Sequence, residues 1–390
     1  MSMFGARFTA AQSIGMICGI VVGLAGTLPA SAAAKAALYG FGSNSNGMLG
    51  DGLSVSSDVP VKADVSSEVK QVAAGSYFGI ALLKNGTVET WGSNVYDELG
   101  DGLTFEEEAQ TLVPHPVPGL SGVVAIAAGA NHALALLSSG TVEAWGDGNE
   151  GELGDGSEAN VPSPVTVSGL TEVKAIAAGG ESNLALLANG TVMSWGYNNH
   201  GQLGDGSNLS ASAPVKVSNL KKVKAIAEGA FFGLAVVNGG AVDSWGAGGD
   251  GELGDGAEAD SDIPVTVSTI KGVKTVAAGG YQAYALLTNK TVQSWGLNNE
   301  GQLGQGASPF SSDLPVPVPG LAGVKAIAAG SAQGLALLST KEAVAWGQNE
   351  YGELGDGTLE NSDFPTPVIN VTGVKVIGSG STAAFGFVGT

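Results

Sequence analysis

Cysteine is almost missing: the single one in 390 residues is Cys18. Arginine is equally scarce, with Arg7 alone, and charged residues make up only 13% of the chain. Basic residues are outnumbered 16 to 36 by acidic ones, giving a formal net charge of −20. Without cysteine pairs, neither disulfides nor thiolate metal sites can hold the fold. Without arginine beyond residue 7 there is no planar fork for bidentate grip on phosphate or carboxylate. The acidic balance excludes a nucleic-acid partner, which needs a basic footprint. What is abundant is glycine, 63 residues against 15 prolines, more than twice its usual share of ~7%. With 44% hydrophobic residues, a large core remains available, and the composition reads as a globular, turn-rich, all-β protein.

The first 34 residues read as a secretory signal peptide rather than part of the fold. Arg7 supplies the positive end, an apolar, glycine-rich run follows from Ile14 to Leu28, and Pro29-Ala30-Ser31-Ala32 is a small-residue cleavage pattern. Cleavage is expected after Ala32 or Ala34. The apolar run is short for a membrane span, and Cys18 lies inside it rather than at its end, where a lipid-bearing cysteine would stand. The expected product is a cysteine-free chain, secreted or held in the cell envelope, with no membrane insertion.

Beyond residue 34 the sequence repeats itself. Trp91, Trp145, Trp195, Trp245, Trp295 and Trp346 are each followed by Gly, and Phe41-Gly42 fills the same slot fifty residues before Trp91. Eight residues after each of these seven aromatics stands a Leu-Gly pair, from Leu49 to Leu354. Each unit reads as four short strands. In one copy these are residues 173–178, the run 184–187, residues 191–195 after an Asn189-Gly190 turn, and 214–217 after a glycine-rich loop. A four-strand unit repeated seven times predicts seven blades around an axis. The Ala- and Gly-rich first strands suit the crowded centre, and the tryptophans suit the spaces between blades. The last copy stops after its second strand, at Ala384-Phe385-Gly386-Phe387, and residues 36–41 supply the missing third. Pairing the two ends would close the ring and remove exposed sheet edges. Two insertions, at Phe105–Glu108 and near Pro309-Phe310, fall between the Gly-Asp-Gly loop and the next first strand, so that loop must face solvent.

Three segments, Gly-Thr-Val-Glu-Ala-Trp-Gly at 140–146, Gly-Glu-Leu-Gly-Asp-Gly at 151–156 and Val-Lys-Ala-Ile-Ala-Ala-Gly at 173–179, resemble the RCC1-type (regulator of chromosome condensation) repeat. The resemblance extends over residues 35–390 and implies a seven-bladed β-propeller. It says less about function, because one fold carries many unrelated sites.

Catalysis finds little support. His115 lies by the long insertion, His132 follows Gly129, His200 sits in a loop, and none recurs between copies. His132 fills a slot that is often His in RCC1-type repeats, where its role is structural. No cofactor or metal is expected. Asp147-Gly148-Asn149-Glu150-Gly151 with Asp155 and Glu158 has calcium-like spacing, but Glu152 stands where a calcium loop needs Gly, and other copies lose the pattern. Those acids read as a solvated turn. The resemblance raises guanine-nucleotide exchange as an alternative, but the acidic surface and an exported location oppose it. An enzyme, a lyase or hydrolase acting in the central mouth, is the alternative from another class; a structural module of the cell surface is a third.

Protein recognition is the leading expectation, because copies differ most in the loop after each first strand. These loops carry Tyr77-Phe78, Asn131-His132, Glu181-Ser182, Phe231-Phe232, Tyr281-Gln282, Ala332-Gln333 and Thr382-Ala383. Seven of them would ring one mouth, with Tyr77, Phe78, Phe231, Phe232 and Tyr281 at least partly exposed as anchors. Asn131, His132, Gln282 and Gln333 complete the expected binding set. Secreted RCC1-like propellers that inhibit β-lactamases are similar in presenting aromatics from this loop. Lysines at the second position of six first strands, such as Lys174, and acids around the Gly-Asp-Gly loops suggest a polarised disc. The expectation is a monomeric, exported, non-catalytic propeller that binds another protein.

Overall fold

A computed structural model describes residues 37–380 and 385–390. The expected signal peptide lies outside these residues, as does the loop at Thr382-Ala383. Among the described residues there are twenty-eight strands and no helix. They form seven four-stranded antiparallel sheets, each one blade. The inner strands of blades one to seven are Val69–Ala74, Val123–Ala128, Val173–Ala178, Ala225–Glu228, Val273–Ala278, Val324–Ala329 and Val376–Gly378. In blade three the chain continues through Ser182–Leu187 and Val192–Gly196 to the outer strand Ala211–Lys216.

The ring closes as the sequence implies. Leu38–Gly42 pairs antiparallel with Phe385–Gly389, from Leu38 opposite Gly389 to Gly42 opposite Phe385. Blade seven therefore takes two strands from each end of the described chain, in the order Ser57–Ala63, Leu38–Gly42, Phe385–Gly389, Val376–Gly378. The last backbone bond of the pairing runs from the Thr390 N–H to the Ala37 carbonyl at 3.0 Å.

Tryptophan holds each blade to the one before it. All six are fully buried, and each indole N–H donates across the interface. Trp245 reaches the Gln202 carbonyl at 2.8 Å and Trp195 the Glu152 carbonyl at 2.8 Å. The glycine of each Leu-Gly pair is needed because the ring lies against it: a Cβ on Gly204 would stand 2.7 Å from Trp245 Cδ1, and its φ is +63°. The slot two residues before this glycine is Glu or Gln in six blades, and its side chain turns back to accept the N–H two residues earlier. Glu152 takes that of Glu150 at 2.8 Å and Gln202 that of His200 at 3.0 Å.

One local expectation needs correction. Asn189-Gly190 is not a two-residue turn with both residues at positive φ. The Gly190 N–H donates to Leu187 at 2.9 Å and the Leu187 N–H to Thr191, while only Gly190 has positive φ, at 84°. This is a type I turn followed by a left-handed glycine, in which the Asn189 side chain accepts the Thr191 N–H instead.

Candidate recognition mouth

In blades one to six a glycine directly follows the inner strand, and close packing explains why. A Cβ on Gly229 would lie 2.2 Å from Phe232 Cε1 and 2.8 Å from the Gly279 carbonyl; on Gly179 it would lie 2.0 Å from the Gly229 carbonyl. At these glycines neighbouring blades also join through backbone hydrogen bonds. Ser76 N–H donates to the Ala130 carbonyl at 2.8 Å, Ala130 to Gly180 at 2.9 Å, Gly180 to Gly229 at 3.3 Å, Ala230 to Gly279 at 3.1 Å and Gly280 to Ser331 at 3.0 Å. This chain of bonds runs from blade one to blade six and fixes the residue that follows in each of their loops.

Those following residues are Tyr77, Asn131, Glu181, Phe231, Tyr281 and Ala332, and none is buried. Tyr77 is 52% and Tyr281 40% exposed; Phe231 and Asn131 are half-buried. Phe231 is the hub of an aromatic cluster, with ring centroids 6.2 Å from Tyr281, 5.5 Å from His200 and 6.5 Å from Tyr197. The His200 Nδ1 lies 2.9 Å from Asp260 Oδ2, which steadies that edge of the cluster. Phe231, Tyr281 and Glu181, with Ala130, Gly180, Ala230, Gly280 and Ser331, line an open concavity of about 200 Å³. Tyr77 does not line it, so the patch is lopsided towards blades two to six.

Five of the expected binding residues do not face the mouth. Phe78, His132, Phe232, Gln282 and Gln333 are buried, Phe78, Phe232 and Gln282 completely. Each opens a second strand and sits opposite the Gly after the aromatic slot, as Phe232 does with Gly246 and Gln282 with Gly296. Successive strand residues point to opposite faces, so the first residue turns into the space between blades when its predecessor points outward. There it fills the hole left by the inner-strand glycine, as Phe232 does over Gly229. His132 makes the same inward turn: its Nε2 lies 2.8 Å from Asn183 Oδ1, and Asn183 donates to the Glu152 carbonyl at 2.9 Å. Burial pushes the His132 pKa down, which keeps it neutral and structural.

Three mouth residues were missing from the expected set. Glu181 was visible in the variable loop, and a carboxylate between an aromatic and a glycine-lined ring was the available signal. Tyr197 and His200 come from the glycine-rich loop, where Tyr197 stands in the same slot as Asp147, Ala247 and Leu297. That slot's variation was the signal there. Burial pushes the Glu181 pKa up, and the neighbouring Glu150 and Asp147 charges push it further. The mouth here is acidic, and the lysine ion pairs among the described residues, Lys84 and Lys375 with Glu68, lie elsewhere. Lys70, Lys174, Lys224, Lys274, Lys325 and Lys375 are exposed at the starts of the inner strands, the opposite end from the mouth loops.

Below the mouth, the central channel encloses about 240 Å³ and is lined mainly by alanine and isoleucine, including Ile126, Ile176, Ile226, Ile327 and Ile377. Its one carboxylate among the described residues is Glu228, which accepts the Ser182 hydroxyl at 2.7 Å. Burial raises its pKa well above the ordinary value, opposed in part by the bond from Ser182. The acids weighed for calcium are engaged in turns: Asp147 accepts the Asn149 N–H and side-chain amide, and Asp155 accepts the Ser157 N–H.

Comparison with known proteins agrees with this architecture. Residues 11–271 match the RCC1-like domain, and residues 273–302, 291–337 and 345–384 match the regulator of chromosome condensation (RCC1) repeat. The human E3 ubiquitin-protein ligase HERC2 is 38% identical over 131 residues, 33% of this chain but 3% of its own length. The mitochondrial RCC1 domain-containing protein RUG3 of Arabidopsis thaliana is 40% identical over 118 residues, 30% of this chain and 25% of its own. The Ultraviolet-B receptor UVR8 of the same plant is 34% identical over 134 residues, 33% of this chain and 30% of its own. The chain thus spans less than a third of the length of these relatives. Among solved structures, yeast RCC1 (Prp20) bound to Kap60 superposes with a TM-score of 0.82 at 23% identity, covering 91% of this chain and 88% of that one. Human WBSCR16 gives 0.80 at 23% identity, covering 91% and 98%. At that identity the likeness speaks for the fold, while the matched family covers two thirds of the sequence in one stretch. The chain belongs to the RCC1-like domain family.

Proposed function

We propose that the protein is an exported, non-catalytic recognition propeller whose mouth binds another protein through a basic segment. The observation that carries this reading is the concavity itself: Phe231 and Tyr281 beside the Glu181 carboxylate, held on loops that backbone hydrogen bonds join from blade to blade. Aromatic anchors on a rigid frame lose little entropy on binding. A half-buried carboxylate among other acids gains most from a lysine or arginine, which would relieve the repulsion from Glu150 and Asp147. The net charge of −20 would steer such a partner inward. A propeller of the same fold, Prp20p from Saccharomyces cerevisiae, has binding properties to Gsp1p and histones. Export rests on the first 34 residues, and the likeness to β-lactamase-inhibiting propellers on the aromatics of three mouth loops.

The test is an affinity measurement on a partner captured from secreted and envelope fractions. Combining Phe231→Ala with Tyr281→Ala should weaken binding by ~2–4 kcal/mol, the range of central interface anchors. Glu181→Gln should weaken it less and flatten its salt dependence. A double variant that binds like the parent would remove the mouth as the binding surface.

A further inference from the structure

We propose that the outer edge of blade one carries a zinc site built from Asp101, Glu108 and His115. One donor atom from each of the three lies within 4.8 Å of the other two. The His115 Nε2 stands 3.1 Å from Asp101 Oδ2, near the spacing of roughly 3.4 Å that two ligands of a tetrahedral zinc ion have. That nitrogen is buried and, apart from this ion-pair contact, has no hydrogen-bond partner. The Asp101 side chain is 92% buried, being 8% exposed.

The repeat makes this cluster an exception. Asp101 belongs to the Gly-Asp-Gly loop, which recurs in other copies as Asp51, Asp155, Asp205, Asp255 and Asp356. In those copies, no histidine stands opposite. The outer-strand residue paired as His115 is with Thr90 is Val61, Val165, Val215, Val265, Val316 or Thr366 elsewhere. Glu108 stands in the slot whose carbonyl accepts the asparagine side-chain amide, filled by Val55, Leu209, Pro309 and Glu360 in other copies, and only here does its carboxylate share the site with an outer-strand histidine. The departure from the repeat is therefore His115, which brings an imidazole beside an aspartate that most copies carry.

Each ligand is held in place by its backbone. Asp101 Oδ1 accepts the Leu103 N–H at 2.8 Å, leaving its other oxygen for the site. The Glu108 carbonyl accepts the Asn94 amide at 2.9 Å, which anchors the end of the insertion. His115 is fixed by strand pairing with Thr90.

The donor set selects the ion. One imidazole and two carboxylates suit zinc, whereas calcium takes six to eight oxygen ligands. Three protein donors leave a fourth tetrahedral position for water or a ligand from another molecule. The site would tie the insertion to the outer strand, well outside the ring of mouth loops.

The test uses the full chain without a histidine tag, stripped with chelator and titrated with zinc chloride by calorimetry and thermal melting. One saturable zinc per chain is expected, with a melting temperature that climbs with free zinc. His115→Val, which installs the residue that most other blades carry, folds by the logic of the repeat. It should lose more than the ~10–100-fold in affinity that removal of an outer-shell partner costs. Glu108→Gln should weaken binding too, and His200→Ala, which alters the exposed His200–Asp260 pair, should leave it unchanged. No saturable binding, equal binding by His115→Val, or displacement of zinc by equimolar calcium would each overturn the site.

Discussion

Replacing Glu152 by Gln should stabilise the protein at high pH and lose that advantage in acid. Glu152 occupies the buried slot before Leu153, with its carboxylate accepting the Glu150 N–H at 2.8 Å. Burial, opposed by those backbone bonds and reinforced by Asp147 and Glu181, pushes its pKa from 4.5 up to about 8. The unfolded chain releases this proton near 4.5 and the folded one near 8. Between these values the folded protein holds more protons than the unfolded, so stability falls as pH rises through that window and is level above it. At ~1.36 kcal/mol per pKa unit the loss reaches on the order of 5 kcal/mol by pH 9. Glutamine keeps the acceptor, as Gln202 and Gln302 do in the same slot with bonds of 3.0 and 2.8 Å. Its amide hydrogens, where unpaired, cost ~1–3 kcal/mol. The net gain for Glu152→Gln is then ~2–4 kcal/mol at pH 9 and absent at pH 4. Urea midpoints measured from pH 4 to 9, at constant slope, read this directly. A variant whose midpoint at pH 9 equals or falls below the parent's refutes the reasoning.

Two further outcomes follow from the packing. Trp245→Ala should cost ~3–5 kcal/mol through the cavity alone, with the Gln202 carbonyl losing its donor as well; its loss of stability should exceed that of Phe231→Ala with Tyr281→Ala, and the reverse ranking in urea would show those two rings to be inter-blade packing. Deleting residues 37–42 removes the strand between Ser57–Ala63 and Phe385–Gly389, so a large fall in melting temperature and aggregation are expected on light scattering. A monomer with an unchanged melting temperature would contradict closure through this strand.

The fold was legible because the repeat repeats its reasons. The aromatic-Gly and Leu-Gly pairs mark the two sides of one contact, an indole lying on a glycine of the preceding blade, so their spacing in the sequence is a spacing in space. Ring closure was legible because the incomplete first and last copies complement each other. The mouth was legible only by position. Tyr77, Phe231 and Tyr281 face outward as expected, but Phe78 and Phe232, one residue on, turn inward to fill the glycine's hole. A three-residue loop read as one variable unit hides that alternation. The partners of Phe231 were hidden for another reason: Tyr197 and His200 come from a different loop of the neighbouring blade, and only the closed ring brings them within 7 Å of its ring. The Asp101–Glu108–His115 cluster was hidden likewise, since pairing across two strands brings its members together.

Site-specific photocrosslinking separates the two ends of the propeller most directly. A photoreactive residue placed at Tyr281 reports on the mouth, and one at Lys174 on the opposite end of the inner strands. If the mouth is the recognition surface, the position-281 probe should capture a discrete partner, the capture should fall when Phe231 is also Ala, and high salt should weaken it. The position-174 probe should capture nothing specific. Capture at position 174 with none at 281, or capture at 281 that ignores Phe231→Ala, would contradict the account.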